Sequence, residues 1–154
     1  MPNWGYSSLK LKEEGIAKAS GRDMKISPKA AREICRSIRH MKLDAAKQFL
    51  QDVTEMKKPV PYRRYSKKVG HKAGIQGWYA GRYPVKAARE LLKILNGLEA
   101  NATDRGLDAE RLKIVHASSQ RGRFIKRYTP RAFGRSSPKF DMLCHVELAV
   151  EEMR

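Results

Sequence analysis

The chain has 154 residues, 33 Lys and Arg against 16 Asp and Glu, a formal charge of +17 at pH 7 and a 41% share of hydrophobic residues. That length suits one ordinary domain with a core of its own and is short for two. So much positive charge on a chain able to fold argues against both a disordered basic tail and an ordinary metabolic enzyme, and the commonest cellular polyanion that neutralises it is nucleic acid.

In chain order, the first 15 residues carry charges with no apolar block behind them, and no apolar run approaches the ~20 residues of a membrane span, so a soluble, unexported protein is expected. A strand pattern covers 16–26. Ser27 followed by Pro28 reads as an N-cap with proline at the first helical position, and Ala31, Ile34, Cys35, Ile38 and Met41 recur at helical spacing to about His40. A second helix runs over 44–56 on Ala46, Phe49, Leu50, Val53 and Met56, and ends before Pro59.

Residues 57–83 contain eight Lys and Arg and no acid. Charge here alternates with rings and glycines: Tyr62, Arg63, Arg64, Tyr65, Lys67, Lys68, Gly70, His71, Lys72, Gly74, Gly77, Trp78, Tyr79, Gly81, Arg82, Tyr83. Pro59, Pro61 and the glycines predict irregular backbone, while the aromatic and guanidinium planes offer stacking surface for unpaired bases. The competing reading of Trp78 and Tyr79 is that they dock the loop on the body. Pro84 then opens the longest helix, with Val85, Ala88, Leu91, Leu92, Leu95, Leu98 and Ala102 on one stripe, stopping near Gly106.

Two strand patterns close the chain. Over 140–151 the even positions Phe140, Met142, Cys144, Val146, Leu148 and Val150 are apolar, with Asp141, His145, Glu147 and Glu151 on odd positions, as in a half-buried strand. Its partner is expected at 111–117, around Leu112, Ile114 and Val115. Between them, 118–139 holds Gly122, Pro130, Gly134 and Pro138 and no helical pattern, and the whole stretch 111–140 has nine Lys and Arg and no acid. The other 16 basic residues balance the 16 acidic ones, so the chain reads as a neutral body with two basic appendages. Paired antiparallel, the second appendage is a hairpin whose outer part would project about 30 Å at ~3.3 Å per residue, a ribbon marginal without a partner. The fold expected is α+β: three helices on a small, mainly antiparallel sheet, one domain over 1–154 with a basic loop at 57–83 and a β-hairpin arm at about 118–140.

No catalytic or cofactor pattern emerges. Cys35 and Cys144 stand 109 positions apart, which fits a reducing cytoplasm and neither a metal pair nor a disulfide framework. Asn101-Ala102-Thr103 is a chance acceptor triplet without export. His40 is expected at a helix end, His71 in the basic loop, and His116 and His145 facing each other across the strands, none with a metal-spaced partner. Gly74, Gly77 and Gly81 lack the Lys-Ser/Thr of a phosphate-cradling loop, there is no Gly-x-Ser-x-Gly elbow, and the acids lie outside both basic stretches, which excludes a two-metal nuclease pattern. No enzyme, metal or cofactor is expected.

Ser27-Pro28-Lys29-Ala30-Ala31-Arg32 at the first helix and, above all, Thr129-Pro130-Arg131-Ala132-Phe133-Gly134-Arg135 at the hairpin tip resemble the universal large-subunit ribosomal protein family called L twenty-two in bacteria and L seventeen in eukaryotes. The resemblance covers nearly the whole chain. The loop at 57–83 is similar to the archaeal and eukaryotic form, and the short C-terminus points to an archaeal type. The resemblance implies a cytoplasmic constituent of the large ribosomal subunit whose body lies near the outer opening of the peptide exit tunnel and whose hairpin threads inward through ribosomal RNA. Its implied partners are large-subunit ribosomal RNA, neighbouring ribosomal proteins and the nascent polypeptide. The RNA-facing set would be Lys29, Arg32, Arg63, Arg64, Tyr65, Lys67, Lys68, His71, Lys72, Trp78 and Arg82, with Arg121, Arg123, Lys126, Arg127, Tyr128 and Lys139 on the arm. Thr129, Pro130, Arg131, Ala132, Phe133, Gly134 and Arg135 would line the tunnel. The alternative from a different class is a free-standing RNA- or DNA-binding regulator, for which so long a hairpin would be superfluous.

Overall fold

A computed structural model describes residues 5–7 and 15–153. Strand β1 (Ile16–Met24) leads to helices α1 (Pro28–Ile38) and α2 (Leu43–Thr54), then the two-residue strands β2 (Val60–Pro61) and β3 (Gly81–Arg82). Helix α3 (Val85–Asp104) and a short 3₁₀ turn (Ala109–Arg111) precede β4 (Leu112–Ile125), β5 (Tyr128–Pro130), β6 (Ser136–Pro138) and β7 (Asp141–Glu152). This is the expected α+β class.

The main sheet has the order β1-β7-β4, with both pairings antiparallel. One face of it carries Cys144, Val146, Leu148 and Val150 of β7 and Leu112, Ile114 and Ala117 of β4 into a core shared with the helices. Against that face α1 sets Ala31, Ile34, Cys35 and Ile38, and α3 sets Ala88, Leu91, Leu95, Leu98 and Ala102, which is where their helical spacing directs them. Leu43, Ala46, Leu50 and Val53 of α2 complete the layer. Among the described residues no helix is long and apolar enough to cross a membrane.

Several expectations need correction. The helices end about two residues before the expected ends at His40 and Gly106: α1 closes at Ile38 and α3 at Asp104. His40 therefore lies beyond the helix, in the left-handed region (φ 69°), and its N–H donates to the Ile114 carbonyl at 2.8 Å. With Ile114 N–H donating to Met41 O at 2.9 Å, this turn covers the free edge of β4. Strand β7 is buried on both faces over much of its length, because Leu143, Glu147 and Ala149 on the odd side are covered as well. It is the central strand, and Ser7 and His116 close over its second face. His116 pairs with Ala149 and His145 with Gln120, so the two imidazoles do not face each other. Even an unbroken ladder continued from Ile114 opposite Val150 would set His116 opposite Leu148, so the two histidines are out of register along the strands whether or not the shift between Ile114 and His116 is counted.

Strand β4 is twice the expected length, running from the core into the arm as far as Ile125 opposite Asp141. A second bulge lies between Arg121 and Phe124, where a Cβ on Gly122 would stand 3.1 Å from the Leu143 carbonyl oxygen. The arm then resumes as the β5–β6 pair, Tyr128 opposite Pro138 and Pro130 opposite Ser136, linked to the lower section by Lys139 N–H donating to Arg127 O at 2.6 Å.

Candidate nucleic-acid interface

The basic loop at 57–83 is irregular over most of its length, as expected, but it is folded back on itself. The Tyr62 N–H donates to Ala80 O at 2.9 Å and Lys72 N–H to Tyr79 O at 3.1 Å, so β2, β3 and the His71–Ala80 bridge fold it back on itself. What anchors it is a residue the sequence did not single out. Glu33, on the inner side of α1 and only 1% exposed, accepts backbone N–H groups from Arg63 (3.2 Å), Arg64 (2.9 Å) and Tyr65 (3.0 Å). One buried carboxylate thus turns the peptide planes of three loop residues inward and leaves the Arg63 and Arg64 side chains exposed on the other side. This is the logic of an anion in a nest of N–H groups, with the anion supplied by the protein.

The loop's rings divide the docking and stacking roles. Trp78 is half-buried and its Nε1–H donates to Tyr62 O at 2.9 Å, so it docks. Tyr79 stacks on it at 4.8 Å between centroids and is itself exposed. His71 meets the edge of Tyr79 at 5.2 Å, and Arg63 lies 5.5 Å from the Trp78 centroid.

Of the residues expected to face RNA, Lys29, Arg32, Arg63, Arg64, Lys67, Lys68, His71, Lys72 and Arg82 are exposed, Tyr65 and Trp78 half-buried. On the arm, Arg121, Arg123, Lys126, Arg127, Tyr128 and Lys139 are all exposed. The two acid-free stretches, far apart in sequence, meet across α1: Lys29, Arg32 and Tyr65 line one depression with Ser119 and Arg121. The same depression includes Lys25 and Lys86, and a neighbouring one collects Arg32, Arg36 and Arg39 beside Ser118 and Ser119. None of Lys25, Arg36, Arg39 and Lys86 was expected; each sits in a segment of mixed charge, and only the spacing of Arg32, Arg36 and Arg39 on one helical face signalled a ridge. Arg39 also donates to the Ala117 carbonyl at 2.7 Å, tying that ridge to β4.

Two arm arginines are less available than their exposure implies. Arg123 approaches Asp23 at 3.6 Å, and Arg127 pairs with Asp141, which Lys25 also reaches at 3.8 Å. The acids excluded from the basic stretches by sequence thus return to the root of the arm in space. Lys126 and Lys139 beside them, and Arg131 and Arg135 at the tip, make no ion pair among the described residues.

At the tip, Arg131 N–H donates to Arg135 O at 2.8 Å and Arg135 N–H to Ala132 O at 3.3 Å. The turn between needs two left-handed residues, Phe133 (φ 55°) and Gly134 (φ 65°). Gly134 was expected there and costs little; Phe133 is strained and 96% exposed, its ring held clear of the protein. Arg131 Nε–H donates to Ser137 Oγ at 3.2 Å, Thr129 is half-buried, and Pro130, Ala132 and Arg135 are exposed.

One Ser-His-Glu gathering exists and is not a catalytic relay. Ser7 Oγ donates to Glu147 Oε2 at 2.8 Å, and His116 Nε2 lies 3.4 Å from that hydroxyl and 3.7 Å from the carboxylate. A relay places the carboxylate on the imidazole's other nitrogen, whereas here both partners crowd Nε2. Burial alone would raise the Glu147 carboxyl, but hydrogen bonds from the Ser7 N–H and hydroxyl and from Gln120, with the charge of Arg22, outweigh it and hold the group below its usual range. Burial lowers His116, against an opposing pull from Glu147. Cys35 and Cys144 are buried, and burial first of all pushes their thiols up to about 12 and about 11, so neither is a nucleophile.

Known proteins match this sequence over nearly its whole length. The family described as ribosomal protein L22p/L17e matches residues 19–151. The large ribosomal subunit protein uL22 of Archaeoglobus fulgidus is 55% identical over 151 residues, covering 98% of this chain and 97% of its own. Its counterpart in Methanocaldococcus jannaschii is 54% identical over 144 residues, covering 94% and 92%, and that of Ignicoccus hospitalis 51% over 158 residues, covering 99% of each.

Proposed function

The chain belongs to the ribosomal protein L22p/L17e family, and from that premise we propose that it is a structural constituent of the large ribosomal subunit in the cytoplasm, not an enzyme, which binds large-subunit ribosomal RNA and sets its hairpin tip in the wall of the nascent-peptide exit tunnel. The observation that carries the RNA reading is the meeting of the two acid-free stretches across α1, through Lys29, Arg32, Tyr65 and Arg121. A face of this kind, with five cations lining it and Asp141 as its single acid, suits a folded polyanion that is touched along its phosphates at many points. The body, basic loop and arm act as one RNA-binding unit, with the loop and α1 holding the body and the arm entering RNA. The tip from Thr129 to Arg135, narrow and cationic with one bare aromatic ring, is the part left to meet the nascent chain. Neighbouring ribosomal proteins complete the surroundings.

Two measurements test this. In sucrose-gradient sedimentation of a lysate, the protein should run quantitatively with the large subunit; a free-running protein would favour an independent nucleic-acid-binding regulator. Deleting residues 130–135 should then leave occupancy of purified ribosomes intact, as measured by mass spectrometry, and change translation of an arrest-prone peptide. Loss of occupancy on tip deletion would make the tip an anchor and refute its assignment to the tunnel wall.

A further inference from the structure

Between the starts of α1 and α3 and the inner side of the basic loop lies a groove of about 840 Å³, within the range of sites that hold small ligands. Six cationic side chains line it, Lys25, Lys29, Arg64, Lys67, Arg82 and Lys86, and no carboxylate does. Five of the six make no ion pair among the described residues; Lys25 alone reaches an acid, Asp141, at 3.8 Å. Charges this close repel one another and are normally relieved by an acid between them.

Here the relief comes from neutral groups. Lys29 lies 5.7 Å and Arg64 6.0 Å from the Tyr65 ring centroid, Arg82 lies 5.8 Å from that of Tyr62, and the Arg82 guanidinium donates to the Lys68 carbonyl at 3.4 Å. A ring face or a carbonyl holds a cation in place without cancelling its charge. Tyr62 is itself buried as the floor, and Glu33 beneath fixes the backbone on which Arg64 and Tyr65 stand. The two helices also enter the groove by first turns that carry no acid, so nothing on them opposes an anion.

We infer that this groove, at the junction of α1, α3 and the basic loop, is a specific seat for two successive phosphates of a single-stranded or bulged RNA segment, distinct from the arm's contacts with RNA. The inference rests on the RNA-binding reading above and narrows it to a place and a strand type. A concave site with fixed cations selects a backbone that can bend into it, which a stiff, regular duplex does less readily than a single strand.

The test measures binding of the full chain to a ten-nucleotide oligouridine and to a duplex RNA of equal length, by fluorescence anisotropy over a salt series. Two variants with the same charge change are compared, Lys29→Gln/Lys86→Gln in the groove and Lys126→Gln/Lys139→Gln on the arm; all four side chains are exposed, so folding is not at stake. The groove variant is expected to bind the oligouridine about tenfold more weakly and to lose about 1.4 from the slope of log K against log salt, at ~0.7 per phosphate on a single strand, while the arm variant changes each by less than half as much. Equal losses in the two variants would show that only net charge matters and would overturn the groove. So would a groove variant whose loss is as large for duplex as for oligouridine. Failure of the chain to sediment with the large subunit would instead overturn the ribosomal reading, leaving the oligouridine comparison to stand by itself.

Discussion

Replacing Glu33 should unmake the basic loop without touching any residue on its outer surface. The carboxylate is 1% exposed and accepts three backbone N–H groups, and bonds to a charged acceptor contribute about 1.5 kcal/mol or more each, for a gross value of about 4.5 kcal/mol. Arg63 and Arg64 are exposed, so their amides regain water when the carboxylate is removed, and the net cost of Glu33→Ala is about 3 kcal/mol. Glu33→Gln keeps one acceptor oxygen but turns an amide N–H₂ toward a backbone donor, which should cost about half as much. Urea unfolding gives the global figure and amide hydrogen exchange the local one. Exchange at Arg63, Arg64 and Tyr65 should accelerate roughly 150-fold in Glu33→Ala and about 10-fold in Glu33→Gln, at 1.4 kcal/mol per factor of ten. If Glu33→Ala stayed within ~0.5 kcal/mol of the parent with exchange at 63–65 unchanged, the carboxylate would not be the anchor and the account of the loop would fail.

Two further outcomes follow from the cluster over β7 and from the tip. Because burial lowers His116 below its ordinary value near 6.5, the fold holds it neutral; the stability this contributes is full above that value and is lost as pH falls through the depressed one. Urea midpoints should therefore decline between about pH 7 and 5, a range in which Glu147, held low, does not yet titrate, and His116→Gln should flatten the decline; a midpoint that rose on acidification would have the wrong sign. At the tip, Phe133→Gly removes a left-handed strain of about 1 kcal/mol and, with the ring 96% exposed, no internal contact. Exchange of the Arg131 amide, which closes the turn, should slow several-fold, and faster exchange would mean that the ring itself pins the tip.

The helices and the central strand were legible because each is a stripe or an alternation that only one buried face can satisfy. Glu33 was not, since an acid at the edge of a helical stripe looks solvated, and its partners are backbone N–H groups that have no sequence signature. The histidine pairing failed for a different reason: alternation gives the face of a strand and not its register, and the register that sets His116 opposite Ala149 brings Gln120, four residues past His116, opposite His145. Lys25 and Lys86 stand 61 positions apart and become neighbours only where α1 and α3 begin side by side.

Charge itself was read correctly along the chain and incompletely in space. A run without acids predicts uncompensated cations only if no distant acid folds back onto it, and Asp23 and Asp141 do fold back, onto Arg123 and Arg127. The arm therefore has two kinds of cation: Arg123 and Arg127, which already pair with a carboxylate, and Lys126, Arg131, Arg135 and Lys139, which make no ion pair among the described residues. An RNA phosphate at Arg123 or Arg127 must compete with a carboxylate for its arginine, whereas one at the other four cations, or in the groove where tyrosine rings replace acids, meets a charge that no carboxylate among the described residues neutralises. Removing Arg123 or Arg127 should thus cost less RNA affinity than removing Lys126, Arg131, Arg135 or Lys139, although the two kinds are indistinguishable in the sequence.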